Sequence, residues 1–245
     1  MLVRNRKSFN KGLLLMGSFL FVLVLIFLPM EIWGTRGDHT MNFLEYADNL
    51  FNRLSKGSSY FIPEVQRQVK PLVGTPFHAE IKPGKPDTAE AIVTVLRANG
   101  AEAQVTPDGM VVARGNLGAL LTSAVRDSEA LFENNAQRVE AKYPGLQGRD
   151  VLKAWWSFLD PLVKELQQQT LFNPAKIVNT VEKKAVEPGF NFYGIQAEDV
   201  GDRALLVIML LTFYVIYTLW YGFAIFELFE GMGLSMKKAK IKKEV

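Results

Sequence analysis

The chain has no cysteine among its 245 residues. That excludes disulfides, a cysteine-linked lipid anchor, thiolate metal sites and the C-x-x-C-H attachment of a c-type haem. An oxidising compartment stays allowed without being required. Histidine is almost as scarce: only His39 and His78 occur, with no H-x-x-x-H or H-x-x-E-H spacing, so neither suggests a metal ligand. Nucleophile signatures are missing too. There is no G-x-S-x-G, and Ser58-Ser59 sits in a turn with no patterned His or Lys to activate it. Gly231-Met232-Gly233 follows a helical pattern rather than a strand, so it reads as the stop of a helix and not as a dinucleotide loop. Glu129, Glu133 and Glu140 read as a solvated helix face. No catalytic residue, cofactor site or metal site is therefore expected, and the protein is not expected to be an enzyme.

Two long apolar runs dominate what is present. Gly12 to Met30 and Ala204 to Phe226 contain no charged residue. At about 1.5 Å rise per residue, each is long enough for the roughly 30 Å hydrocarbon core of a bilayer. Arg4, Arg6, Lys7 and Lys11 precede the first run, and Lys237, Lys238, Lys240, Lys242 and Lys243 follow the second. Basic residues at span ends stay cytoplasmic, so both termini are expected inside. The expected layout is a tail at 1–11, a span at 12–30, an extracytoplasmic segment at 31–203, a second span at 204–226 and a basic tail at 227–245. The first apolar run is longer than a usual signal-peptide core and ends in Leu28-Pro29-Met30-Glu31 rather than at a small-x-small site, so it reads as an uncleaved anchor. The pI near 9.0 comes from the tails; residues 31–203 are net acidic, and no nucleic-acid footprint is visible.

The middle segment reads as helix first. Phe43, Leu44, Ala47, Leu50, Phe51 and Leu54 recur at helical spacing until Lys56-Gly57-Ser58-Ser59 breaks the pattern. This amphipathic helix suits either the bilayer surface or the protein's own domain. A shorter helix is expected after Pro63. Between about 77 and 133 the order is β-α-β-β-α. Phe77 to Ile81 alternates like a strand, and a helix carrying Ile92, Val95 and Leu96 is stopped by Asn99-Gly100. Two strands flank Pro107-Asp108-Gly109, and Asn116 caps a final helix. The fold class is thus an α+β membrane protein, two transmembrane helices flanking a mostly helical extracytoplasmic domain with this small module. The module resembles the ferredoxin-like and BON-type folds of many envelope proteins, a likeness of fold that carries no function. Residues 147–186 return to helix. Pro161 is expected to kink or split the wide apolar face running from Val151 to Leu166. Pro188 to Gly194 reads as an extended aromatic segment leading back to the membrane surface.

Interaction surfaces are the functional expectation. In the second run Tyr214, Tyr217, Thr218 and Tyr221 recur at i, i+3, i+4 and i+7 and so share one helix face. Phenols near mid-span want polar partners, because an unpaired hydroxyl in hydrocarbon costs on the order of a few kcal/mol. Ser18 of the first run lies at about the depth of Thr218, which allows a contact between the spans. The alternative is that the phenols snorkel or bond to their own helix. Trp155 and Trp156 are the second candidate partner surface. Trp33, Phe192, Tyr193, Glu227, Glu230, Lys237 and Lys238 are expected at membrane interfaces. For Glu227, a place in a proton or cation path is the sharper alternative to an ordinary helix end.

Three stretches, Ala47 to Pro63, Lys183 to Ile195 and Tyr217 to Lys238, resemble two-span envelope proteins of anaerobic bacteria. The resemblance implies a bacterial inner membrane and no activity. The expectation is a non-catalytic inner-membrane scaffold or accessory subunit. Its partners would be membrane lipid and integral-membrane proteins, or further copies of itself. The alternatives are an extracytoplasmic ligand sensor that signals through a partner and a self-assembling envelope structural protein.

Overall fold

The computed structural model describes residues 3–83 and 86–234. The chain forms two compact units, one made of Met1–Phe51 with Asp199–Val245 and the other of Asn52–Glu198. The fold is mostly helical α+β, with two helices long and apolar enough to cross a membrane.

The first unit is built on those two helices. α1 (Arg6–Phe27) starts where the Asn5 side chain accepts from the Lys7 and Ser8 amides, and it ends ahead of Pro29. A single turn, Glu31–Trp33, leads into a hairpin of β1 (Thr35–Arg36) and β2 (His39–Thr40) that the apolar pattern does not announce. α2 (Phe43–Ser58) opens with a reciprocal capping box. The Asn42 side chain accepts from the Glu45 amide at 2.9 Å, and the Glu45 carboxylate accepts from the Asn42 amide at 2.9 Å. α10 (Val200–Met232) is capped by Asp199 and closed by Gly233, whose φ of +83° lets the chain leave the helix in the left-handed conformation. No residue in its most apolar window is buried, which distinguishes it from the core helix of a soluble domain.

α1 and α10 pack closely at one end. Gly12 and Gly231 are buried, and a Cβ on either would sit 2.6 Å from backbone of the other helix: Leu228 N for Gly12, Phe9 Cα for Gly231. The Arg4 and Asn5 amides both donate to the Gly231 carbonyl at 2.9 Å. Small residues allow this approach, which is how apolar helices associate where hydrophobic burial gives no drive. Phe43 of α2 meets Phe213 of α10 edge-on at 5.6 Å and Leu50 is buried, while Leu44 and Phe51 of the same apolar face stay exposed, so the face packs on protein only in part.

In the second unit α3 (Ile62–Val69) precedes β3 (Pro76–Ile81), α4 (Pro86–Ala98), β4 (Glu102–Val105), β5 (Val111–Asn116) and α5 (Leu117–Phe132). The sheet order is β3-β5-β4, antiparallel throughout. Phe77, Ala79, Ile81, Ala103, Val111 and Ala113 face the core, and His78, Glu102, Gln104 and Arg114 take the other side, as period-two alternation requires. Side chains cover a carbonyl on each edge strand, which blunts edge-to-edge pairing. Arg97 Nε donates to Ala103 O at 2.7 Å, and Gln169 Nε2 donates to His78 O at 3.0 Å.

α6 (Ala136–Glu140), α7 (Gly148–Gln168), α8 (Phe172–Val181) and α9 (Glu187–Asn191) complete the unit, with one π-helical stretch, Glu182–Val186, between the last two. Pro161 does not split α7, which runs as one helix through it. Tertiary packing offsets the hydrogen bond that proline removes: Val151, Leu152, Trp155, Phe158, Leu159, Leu162 and Leu166 are all fully buried. The segment expected to be extended also differs. Residues 187–191 are helical, because Pro188 falls in the first turn, where its missing N–H is no loss.

Candidate functional site

The most polar feature inside the second unit is a buried strut. Asp127 on α5 accepts from Tyr143 OH and from Trp155 Nε1 (2.9 Å) through one oxygen, and from Lys142 Nζ (3.2 Å) through the other. Asn99 donates to the same phenol at 2.6 Å. Burial, then the Asp127 charge, push the Tyr143 phenol above its ordinary range, so it stays a donor. Both carboxylate oxygens are occupied by the protein itself, which suits a structural tie rather than a reactive carboxylate.

This tie corrects one expectation. Trp155 is 0% exposed and belongs to the core, so it presents nothing to a partner, whereas Trp156 is 44% exposed. Adjacent helical residues point about 100° apart, and the apolar spacing does not separate them. Trp156 borders a cleft of about 290 Å³ between α7 and α9, together with Leu152, Lys153, Val186, Glu187 and Phe190. α9 is held close to α5 by Gly189, where a Cβ would lie 2.7 Å from the Ser128 carbonyl.

Phe192 and Tyr193, aromatics of the 188–194 segment, make contacts within the unit. Phe192 meets Phe132 at 5.8 Å, and Arg149 lies 5.5 Å from the ring centroids of both Phe190 and Tyr193. Lys56 Nζ donates to the carbonyls of Phe192 and Ile195 and sits 5.0 Å over the Phe132 ring. Burial lowers its pKa. Asn134, at φ +62°, adds bonds to the Ile195 carbonyl and the Gly194 amide. The expected extended run is thus a helical turn followed by a pinned bend.

Glu182 opens the π stretch and is 1% exposed, with Lys183 Nζ at 3.1 Å. Burial pushes its pKa up from 4.5; Lys183 opposes this, and Asp160 and Glu187 add to it. The folded state therefore binds this proton more tightly than the unfolded state. Its contribution is full below pH 4.5 and is lost as the pH rises through the higher folded value. Glu182→Gln should escape that loss. The variant's denaturation midpoint should gain on the wild type between pH 4.5 and pH 7, as read by urea titrations at both; a gap that shrinks toward neutral pH would contradict the burial argument.

In the first unit the tyrosine row is divided. Tyr217 stacks on Phe19 of α1 at 4.4 Å and Tyr221 tilts on the same ring at 5.1 Å, while Tyr214 is 67% exposed. Sequence reasoning misses Phe19, since nothing distinguishes it from the other phenylalanines of its run. The contact between Ser18 and Thr218 does not form. Ser18 Oγ bonds to the Leu14 and Leu15 carbonyls and Thr218 Oγ1 to the Tyr214 carbonyl, each within its own helix. Among the described residues, Tyr217 OH and Trp220 Nε1 are buried without a hydrogen-bond partner.

Glu227 pairs with Lys11 at 2.6 Å, a link between the two long helices, and one oxygen of Glu230 is buried without a partner among the described residues. Trp33 packs edge-on against Phe43 at 5.0 Å and beside Tyr46 at 5.7 Å. Lys237 and Lys238 lie outside the described residues. His39 contacts Glu45 at 3.2 Å, and among the described residues no three His, Asp or Glu side chains gather as a metal site. No protein-family model matches the chain, and neither a curated protein nor a solved structure does.

Proposed function

We propose that this chain is a non-catalytic, membrane-anchored scaffold or accessory subunit. In this reading α1 and α10 cross a bacterial inner membrane, both termini are cytoplasmic and residues 52–198 lie in the periplasm. The basic residues flanking the two apolar runs support that orientation. The observation that carries the partner-binding role is the aromatic cleft of the second unit. Trp156 and Phe190 remain exposed beside it, on a unit that buries its other tryptophan fully. An exposed tryptophan on the rim of an apolar cleft is the usual anchor of a protein interface. The tyrosine row supports a second contact inside the bilayer. Tyr214 and Tyr221 stay 67% and 45% exposed, so their side chains are open to a polar group from a neighbouring span.

Affinity purification of the full chain from mild detergent, with mass spectrometry of what accompanies it, tests this. A stoichiometric membrane partner should co-purify. Trp156→Ala should release it, and so should the combined Tyr214→Leu, Tyr217→Leu and Tyr221→Leu variant. A clean single species, or a partner indifferent to both variants, would overturn the proposal.

A further inference from the structure

The first unit contains a groove of about 540 Å³, within the size range of small-molecule sites. Its walls come from three helices: Leu23 and Phe27 on α1, Leu44 and Ala47 on α2, and Leu210 and Leu211 on α10. Tyr214 and Tyr217 of α10 also line it. Every lining side chain is aliphatic or aromatic, and among the described residues no charged group lines it.

We propose that this groove seats one acyl chain of a bilayer lipid. The proposal rests on the reading that α1 and α10 cross the membrane, and three observations carry it further. The α1 and α10 walls lie inside the two apolar runs, so in a bilayer the groove is continuous with hydrocarbon. Leu44, Phe27 and Leu211 keep 45%, 56% and 53% of their surface exposed, so the site is open at its side rather than a sealed void. Water is a poor occupant, because a buried water needs two to four polar partners and the walls offer only the two phenols. An unfilled groove forfeits dispersion contacts on both faces, and an acyl chain is the one apolar filler that the surrounding solvent supplies at high concentration. α2 makes the groove specific. It is amphipathic and anchored by its capping box, and Phe43 packs on Phe213, so its apolar face roofs the gap beside the two long helices.

The test uses the full chain in vesicles of phosphatidylethanolamine and phosphatidylglycerol, doped with a phospholipid carrying a diazirine in its acyl chain. Photolysis is followed by peptide mapping. Two regions are read: Phe43–Phe51 of α2, and the outward positions Leu219 and Phe223 of α10. Acyl adducts are expected on both. Filling the groove with Ala47→Trp, or from the opposite wall with Leu211→Trp, should cut the α2 adducts several-fold and leave those at Leu219 and Phe223 unchanged. Labelling at Leu219 and Phe223 with none on α2, or α2 adducts that both variants leave intact, overturns the groove and leaves the membrane reading standing. Absence of adducts from both regions overturns the membrane reading, and the groove proposal with it.

Discussion

Asp127→Ala should be among the most destabilising single substitutions in this protein. The carboxylate is 5% exposed and holds two fully buried donors, Tyr143 OH and Trp155 Nε1. Truncation strands both. A buried donor left without an acceptor costs roughly 1–3 kcal/mol, so the two together predict a loss of about 2–6 kcal/mol. Lys142 adds little to this sum, because its partly exposed ammonium returns to water. Against a typical total of about 5–15 kcal/mol, such a loss is large. Asp127→Asn should cost less, since an acceptor oxygen remains. Tyr143→Phe should cost less again, since it removes one donor rather than stranding it and keeps the ring in place. Urea titration of the full chain in detergent, followed by tryptophan fluorescence, orders the series. If Asp127→Ala lost no more than Tyr143→Phe, the strut would not be the tie its geometry indicates.

That strut marks the limit of what the sequence discloses. Asp127 sits between Arg126 and Ser128 on an amphipathic helix and looks like one more surface acid. Its partners are supplied by α7 and by the loop before it, and no local pattern links them. The legible elements have local causes. Alternation marks the strand at Phe77 to Ile81, Asn116 the start of α5, and Gly233 in the left-handed conformation the end of α10. The departures share one physical origin, in that tertiary packing overrides a local signal. Proline chemistry makes Pro161 a break, yet α7 buries too much apolar surface to divide. The same chemistry makes Pro188-Gly189 extended chain. In fact the proline starts a helical turn and the glycine lets that turn approach the Ser128 carbonyl. The tyrosine spacing puts four residues on one face, but which of them meet α1 depends on Phe19, a residue without any distinguishing spacing.

The glycines of the two long helices should respond to alanine with opposite signs. Gly12→Ala places a methyl 2.6 Å from Leu228 N, and Gly231→Ala places one 2.6 Å from Phe9 Cα. Both obstacles are backbone and cannot rotate away, so the helices must separate. Overpacking of this kind costs about 1–3 kcal/mol. Gly17 and Gly222 lie on the same two helices, and a methyl added at either would meet nothing within 4 Å. Alanine there should be neutral, or stabilising by up to about 1 kcal/mol through helix propensity alone. Thermal unfolding of the four variants in detergent, followed by helical circular dichroism, gives the comparison. Separation at Gly12 must also lengthen the neighbouring Lys11–Glu227 pair, now 2.6 Å. Lys11→Gln should therefore lower the melting temperature in the wild-type background and have a smaller effect in Gly12→Ala. Equal losses at all four glycines would mean that α1 and α10 are destabilised by the added methyl itself and not by their close approach, and the tight glycine crossing would then have no part in holding the pair.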